Sequence, residues 1–381
     1  QGILAAWNAN DVQIPDVWRS ALSRVEPKDA RTVNLHWRRL PPKWQPLLEL
    51  APRSLQRSKA GVAPYRLAER NAGTTRFASG PDEASTMPRE VIERRFASLT
   101  NAIDSLRRAE VQILDRLPPW ELSNVRRHAE LQIGRYAAPT VHLLLVNPQS
   151  ELLSQSLFRR GLMHAINRER ILAQLVGSDA AAAGASISGP FPRGDAYNNE
   201  IAARSWDPRL AIALWQQVLG VEKEAVEPID FTLVYPPSEV ARRASRAMQQ
   251  QLQLGDLGIR LQLRELESVD DAPDIEWDLR YVEWPAMEPV VDAARLLGED
   301  GVAELASLGL RPALDHLASA VTMEDAQAAL HALHQIVHSD CLVIPLWQLD
   351  EYFAYHVSLT GVGERPVTLY QSVERWKVEL E

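Results

Sequence analysis

The chain of 381 residues contains one cysteine, Cys341, so an internal disulfide is excluded. It also lacks any run of eighteen apolar residues, and its first fifteen residues have neither a basic start nor an apolar stretch. We therefore expect no membrane-spanning helix, and we expect that any targeting peptide was removed or was never present. Cysteine usage leaves the compartment open, because both cytosolic proteins and large periplasmic proteins can do without disulfides.

Positive charge is also scarce, since the formal net charge is -9 and the pI is about 5.6. Such a chain repels phosphate backbones and anionic membrane surfaces. The segment "FRRGLMHAINRERIL" (158–172) is locally basic, with arginines at 159, 160, 168 and 170 around an apolar stripe. We expect these arginines to form a solvated face opposite the stripe, and we expect no nucleic-acid partner.

Catalytic motifs are missing as well: there is no G-x-S-x-G, H-E-x-x-H or C-x-x-C. Cys341 opens an apolar strand and is expected in the core. His331, His334 and His338 share one helical face, which is the one arrangement suggesting a metal-dependent hydrolase. We expect these histidines to lie at the solvent edge of a buried stripe, and we predict no metal, no cofactor and no enzyme activity.

The pattern of apolar residues predicts alternating helices and strands. A helix is expected over 16–25, a strand over 31–37, and a β-α-β-α unit over 91–127. The apolar run "VHLLLVN" (141–147) suits a strand covered on both faces.

A second α/β unit is predicted after that strand. Asp207 followed by Pro208 is typical of a helix start, and Gly220 of a helix end. A strand over 229–235, a helix over 238–258 and further strands over 259–266 and 277–284 follow.

The order of these motifs resembles the family 5 extracellular solute-binding proteins. The matching stretches are "AGVAPYRL", "LTNAIDSLRRAEVQILDRLPP", "LLLVN", "FRRGLMHAINRERIL", "WDPRLAIALWQQVLG", "FTLVYPP", "MQQQLQLGDLGIRLQL", "WDLRYVEW" and "VIPLW". Each is short and mostly apolar, but together they follow the family's order through nearly the whole chain.

This resemblance implies a two-lobed α/β fold of the periplasmic-binding-protein type II. We expect residues 1–140 and 352–381 to form the first lobe, and 141–351 the second, with a hinge near 138–141. Family members have a longer N-terminal section than this chain, which implies an incomplete first lobe.

The resemblance further implies the substrate-binding component of an ABC importer, which captures a small polar solute, peptide-like or other, and hands it to a membrane permease. Its expected location is periplasmic or extracytoplasmic. The alternative is a ligand-sensing domain of a larger regulatory protein, because the same module also occurs fused to DNA-binding domains. A signal peptide or a helix-turn-helix in the complete gene separates the two.

The resemblance also implies the ligand site. In the family, a tryptophan at the end of the strand matching "WDLRYVEW" faces the cleft, and in peptide receptors an aspartate follows it by three residues. That tryptophan is Trp284 here, while the aspartate position is Met287 and the nearest carboxylates are Glu283 and Glu288. The candidate ligand-binding residues are Trp284, Glu283, Glu288, Met287, Tyr281 and Asn147.

Overall fold

The structure is a computed structural model. It describes residues 22–29, 32–38, 65–80, 87–177, 183–193, 201–220, 228–254, 258–267, 275–299, 301–303 and 309–379. Within these residues, no helix has the length and apolar character needed to cross a membrane.

A six-stranded mixed sheet is the largest element, with strand order β11-β10-β12-β8-β13-β9. Its strands are β8 (Thr140–Val146), β9 (Gly184–Ser186), β10 (Ile229–Tyr235), β11 (Ile259–Glu265), β12 (Leu279–Pro285) and β13 (Val343–Leu349). Strand β8 is buried along its whole length and pairs antiparallel with both β12 and β13, while β10 runs parallel to β11 and β12. This agrees with the prediction of a strand covered on both faces.

Smaller sheets are built from the two ends of the chain. Their strands are β1 (Leu22–Pro27), β2 (Val33–Trp37), β3 (Tyr65–Arg70), β4 (Thr74–Ser79), β5 (Glu90–Arg94), β6 (Ile113–Leu117), β7 (Leu131–Arg135), β14 (Tyr352–His356), β15 (Leu359–Thr360) and β16 (Lys377–Val378). Strand β14 lies between β6 and β7, so the chain returns to N-terminal strands immediately after it leaves β13.

Nine helices connect the strands in the described part of the chain. They are α1 (Leu99–Arg107), α2 (Leu122–Val125), α3 (Ser156–Ala165), α4 (Arg168–Val176), α5 (Pro208–Leu219), α6 (Glu239–Leu254), α7 (Pro289–Leu297), α8 (Leu310–Ser319) and α9 (Met323–Asp340). Helix α5 begins and ends as predicted. The Asp207 side chain accepts hydrogen bonds from the backbone of Arg209 and Leu210, and Gly220 ends the helix in the left-handed conformation.

The large sheet separates two apolar cores. On one face Leu144 of β8, Phe231 of β10 and Tyr281 of β12 pack against helices α3 to α6, and this core continues into α1, α2 and β6. On the other face Val141 of β8 and Trp284 of β12 pack with helices α7 to α9. Alternate residues of β12 thus point to opposite cores, as the strand period requires.

Helix α5 is held tightly against α3. The indole N–H of Trp215 donates to the Phe158 carbonyl at 3.0 Å. A Cβ atom at Gly161 would lie 2.2 Å from that indole nitrogen, so only glycine allows this approach.

One helix prediction is wrong. Residues 22–25 belong to β1, which pairs with β2; the remainder of the expected helix, 16–21, lies outside the described residues. In a regular strand, residues three apart lie on opposite faces. The pairing irregularity between Leu22 and Arg24 allows Leu22 and Val25 both to be buried, and apolar residues at this spacing are also typical of a helix.

The prediction of a solvated arginine face is also wrong. Arg159 and Arg168 are buried, Arg160 is partly buried, and only Arg170 is exposed. Helix α3 is buried on almost every side, which leaves no solvent face for its first arginine.

The histidine prediction needs a similar correction. His334 is only 2% exposed, whereas His331 and His338 are partly buried. Among the described residues, no group of three His, Cys, Asp or Glu side chains is arranged to hold a metal ion. Cys341 is buried and free, which confirms the prediction of a core position.

The expectation of an incomplete first lobe stays a prediction, because much of the N-terminal region, including 1–21 and 39–64, lies outside the described residues.

Candidate functional site

The chain crosses twice between the large sheet and the β6-β14-β7 sheet, through residues 136–140 and 349–352. The two crossings are joined: the Tyr136 amide donates to the Glu351 carbonyl at 2.9 Å. Thr140, the first residue of β8, pairs with Pro285 at the end of β12 and with Leu349 at the end of β13. We call this end of the three strands the crossover end.

Four carboxylates gather at the crossover end: Asp115, Glu283, Asp350 and Glu351. We call them the crossover acids. They come from β6, from β12 and from the segment that joins β13 to β14, and the fold brings them together.

Glu283 stands beside the start of helix α6. Its carboxylate accepts a hydrogen bond from the Ser238 hydroxyl at 2.6 Å, and that hydroxyl oxygen accepts from the Ala241 amide. Burial raises the pKa of Glu283, and the charge of Glu351 raises it further. The ionised form of Glu283 is therefore disfavoured unless a positive charge is near.

Glu351 has a similar environment. Burial raises its pKa, while a hydrogen bond with the Thr140 side chain and the charge of Arg116 oppose the rise. The charge of Arg116 also opposes the rise in the pKa of Glu283. One exposed arginine thus favours the ionised forms of both carboxylates.

Arg116 has an unusual backbone, with a φ of 49°. A side chain other than glycine in this left-handed region costs conformational energy, and such residues concentrate at binding sites. The neighbouring Asp115 accepts a hydrogen bond from the Tyr136 hydroxyl at 2.6 Å, which ties β6 to the first crossing.

Asp350 differs from the other three because it has an ion pair of its own. The Arg135 guanidinium lies 2.7 Å from its carboxylate. Burial nevertheless raises the pKa of Asp350 above its usual value.

Trp284 also lies at the crossover end, but its side chain is on the other face of the sheet and is only 8% exposed. It packs in the core with Val290, and the Arg295 guanidinium lies 5.5 Å from its ring centre. Its indole nitrogen has no hydrogen-bond partner within the described residues. In this conformation Trp284 presents no open surface for stacking.

Glu288 is fully buried at the start of helix α7. Its carboxylate accepts from the Val290 amide at 3.0 Å, and its own amide donates to Asp292 at 2.9 Å. Burial, with the charge of Glu288 adding to it, raises the pKa of Asp292 to about 7. Glu288 thus caps a helix, and Met287 beside it is partly exposed.

Tyr281 lies on the same face as Glu283, one strand period further from the crossover end. It is fully buried, and its hydroxyl lies 2.8 Å from Nδ1 of His142. Asn147 is at the opposite end of β8, about 20 Å from Trp284 by strand geometry. Its amide binds the Trp277 carbonyl at 2.8 Å.

Sequence reasoning missed three of the crossover acids and Arg116. A signal was present, since "LDE" (349–351) places two adjacent carboxylates where the chain was expected to leave the second lobe. Similarly, "DR" (115–116) follows an apolar strand.

The sequence model of the bacterial extracellular solute-binding proteins, family 5 (middle region), matches residues 14–295 of this chain. This is more than half of the chain, which therefore belongs to that family. No sequence among the curated proteins matches it.

Solved structures of solute-binding proteins share the fold. The oligopeptide-binding protein AppA from Bacillus subtilis, solved with a nonapeptide, matches with a TM-score of 0.74 and 16% identity, covering 98% of this chain and 84% of AppA. NikA from Staphylococcus aureus, solved with nickel and L-histidine, matches with a TM-score of 0.76 and 12% identity, covering 96% and 84%. AgaA from A. tumefaciens, in complex with agropinic acid, matches with a TM-score of 0.71 and 16% identity, covering 95% of this chain and 79% of AgaA. The chain therefore has the type II periplasmic-binding-protein fold, as predicted.

Proposed function

We propose that this family 5 domain captures a small polar solute carrying a positive charge between two lobes, with the crossover acids at the bottom of the cleft. The observation that carries the proposal is the gathering of Glu283 and Glu351 at the crossover end, where burial raises the pKa of both carboxylates. An ammonium or similar cation in the cleft stabilises their ionised forms, and this stabilisation contributes to binding.

The lobes of the proposal are residues 1–140 with 352–381, and residues 141–351. Two features support this division. The six-stranded sheet is built only from residues 140–349, and β14 joins β6 and β7 in a separate sheet. The joined crossings at 136–140 and 349–352 then act as the hinge.

Glu283 is the proposed charged contact with the ligand, because it is only partly buried and lies beside Glu351. Glu288 is fully buried and caps a helix, so we give it and Trp284 a supporting role behind the cleft. Tyr281 supports the bottom of the proposed cleft through its contact with His142. Met287 lies at the margin of the proposed site. Asn147 is too distant to join this site.

The family suggests the partners. We propose that the chain acts outside the cytoplasm, delivers its solute to an ABC permease and has no catalytic activity. The three similar structures were solved with a peptide, a nickel and histidine complex, and agropinic acid, so the fold alone does not select the solute.

The test combines native mass spectrometry of the purified chain with calorimetric titration. The titrants are short peptides with free or acetylated amino ends, together with any molecule that co-purifies. The variant Glu283→Gln should lose about 1.5–3 kcal/mol of affinity for a cationic ligand, which is the usual size of a charge-assisted hydrogen bond.

The control is Glu267→Gln, an exposed carboxylate outside the crossover end. Its affinity should equal that of the unmodified chain. If no co-purifying molecule and no titrated peptide binds, the receptor function is rejected. If a cationic ligand binds Glu283→Gln as tightly as the unmodified chain, the role of Glu283 is rejected.

A further inference from the structure

A second charged region lies away from the crossover end, near the start of β13. Arg159, Arg160, Arg168 and Arg204 meet there beside the C-terminal part of α9, and we call them the arginine cluster. Their charges act together on this region: Arg160, Arg168 and Arg204 all lower the pKa of His338, after burial, which is the largest cause.

Two members of the cluster, Arg159 and Arg168, donate hydrogen bonds to backbone carbonyls. Arg159 donates to Leu153, Ser154 and Asp340, at distances of 2.6 to 2.8 Å. Arg168 donates to Ile187 at 3.1 Å and Pro345 at 2.8 Å, and also to the Arg204 carbonyl. These bonds neutralise no charge, because carbonyls are dipoles.

The other two members have unmet donors. Nε of Arg160 and Nε of Arg204 are buried, and neither has a hydrogen-bond partner in the part of the chain that the structure describes. In the described part of the chain, no carboxylate lies within ion-pair distance of any of the four arginines. The charges of Asp340 and Glu169 act on Arg159 and Arg168 from beyond ion-pair distance. Arg160 and Arg204 have no carboxylate at ion-pair distance within the described residues.

Two imidazoles beside the cluster are also unsatisfied. Both ring nitrogens of His334 and Nδ1 of His338 are buried and have no hydrogen-bond partner among the described residues, and the ring centres lie 6.3 Å apart. The Ser188 carbonyl is close enough to influence both pKa values, but neither ring makes a well-formed hydrogen bond with it. Gly189 covers the His334 ring so closely that a Cβ atom there would lie 2.5 Å from Nε2.

Unmet N–H donors and an excess of positive charge are together what an oxyanion requires. We propose that this region binds a small inorganic oxyanion of the phosphate or sulfate class. The guanidinium groups of Arg160 and Arg204 hold its charge, and the imidazole of His338 donates an additional hydrogen bond. Arg160, Arg204 and His338 are only partly buried, so part of each side chain is in contact with solvent.

The test measures thermal unfolding and calorimetric binding with sodium phosphate and sodium sulfate, against sodium chloride at matched ionic strength. We expect a saturable rise in Tm with phosphate or sulfate, since a ligand that binds only the folded state stabilises it. Arg160→Gln should weaken the binding at least tenfold. It is the milder variant, because no hydrogen bond of Arg160 within the described chain is broken.

Arg204→Gln is the second variant and should have the same effect, although it also removes a 3.0 Å bond to the His338 carbonyl. The matched control is Arg170→Gln, an exposed arginine on α4 that should leave the binding unchanged. As an independent readout, NMR titration should show the pKa of His338 rising when phosphate is added.

A rise in Tm that does not saturate and is equal in all variants would overturn the proposal, because it would be a general salt effect. An unchanged His338 pKa at saturating phosphate would also overturn it. Glu283→Gln should bind phosphate normally, so this test is independent of the solute proposed for the crossover end.

Discussion

The two charged regions of this chain are built in opposite ways. The arginine cluster contains three residues from one short segment, 159–168, and its two buried members are fixed by carbonyls of the surrounding loops and strands. The crossover acids come from positions up to 236 residues apart, 115 and 351, and their partners are hydroxyls and partly exposed arginines.

This difference separates the two buried arginines from the crossover acids. A buried guanidinium with several carbonyl acceptors has little freedom to respond to a ligand, whereas carboxylates with raised pKa values gain from an added cation. We therefore expect substitutions of Arg159 and Arg168 to act mainly on stability, and substitutions of the crossover acids to act mainly on ligand binding.

The largest effect is expected from Arg168→Met. A small loss of stability in this variant would contradict the contrast between the buried arginines and the crossover acids. The substitution removes the donors for the Ile187, Pro345 and Arg204 carbonyls and leaves them unsatisfied in the interior. Urea denaturation should show the free energy of unfolding falling by about 3 kcal/mol or more. Arg170→Met, the exposed control on the same helix, should change it by less than about 0.5 kcal/mol.

The next effect concerns pH, because the two regions should respond with opposite signs. Burial lowers the pKa of His334 to about 4. The unfolded chain therefore takes up this proton first as pH falls below about 6.5, and the folded state loses stability until about pH 4. The crossover acids Glu283, Asp350 and Glu351 have raised pKa values, so their folded forms take up protons first and gain stability over the same fall.

The measurement compares the free energy of unfolding at pH 7 and pH 4.5, in buffer free of phosphate and sulfate. His334→Gln should lose about 2–3 kcal/mol less than the unmodified chain over this interval. His142, whose pKa burial lowers to about 3, contributes equally to both proteins. Parallel pH curves for His334→Gln and the unmodified chain would contradict the assignment.

Much of the second half of the fold was predictable because local signals agree there. Strand β8, the cap formed by Asp207 and the stop at Gly220 each depend on a few neighbouring residues. The prediction of a helix over 16–25 was wrong at residues 22–25, because a pairing irregularity there buries residues three apart, which is also the spacing of a helix.

The candidate sites were less predictable for a physical reason. Whether an arginine is solvated or buried depends on carbonyls far away in the chain, such as Pro345 for Arg168. Likewise Glu283 gains its environment from Ser238 and Glu351, which only the folded sheet brings near. The pattern of apolar residues identifies which face of a helix or strand is buried. It does not identify the distant residues that pack against that face.

The smallest effect is expected from Arg135→Gln, which removes the partner of Asp350 at 2.7 Å. Arg135 is 46% exposed, so solvent screens the pair and we expect a loss of only about 1 kcal/mol in the free energy of unfolding at pH 7. The loss should shrink as pH falls, because protonation of Asp350 ends the ion pair in the unmodified chain as well.

Urea denaturation of Arg135→Gln at two pH values checks this, with Arg311→Gln as the control. The pair of Arg311 with Glu299 spans 3.5 Å and is 77% and 73% exposed, so its loss should be close to zero. A cost for Arg135→Gln equal to that of Arg168→Met would show that Asp350 is held as rigidly as Arg168. The crossover end would then be scaffold, because carboxylates fixed by such strong internal pairing have little to gain from a ligand cation.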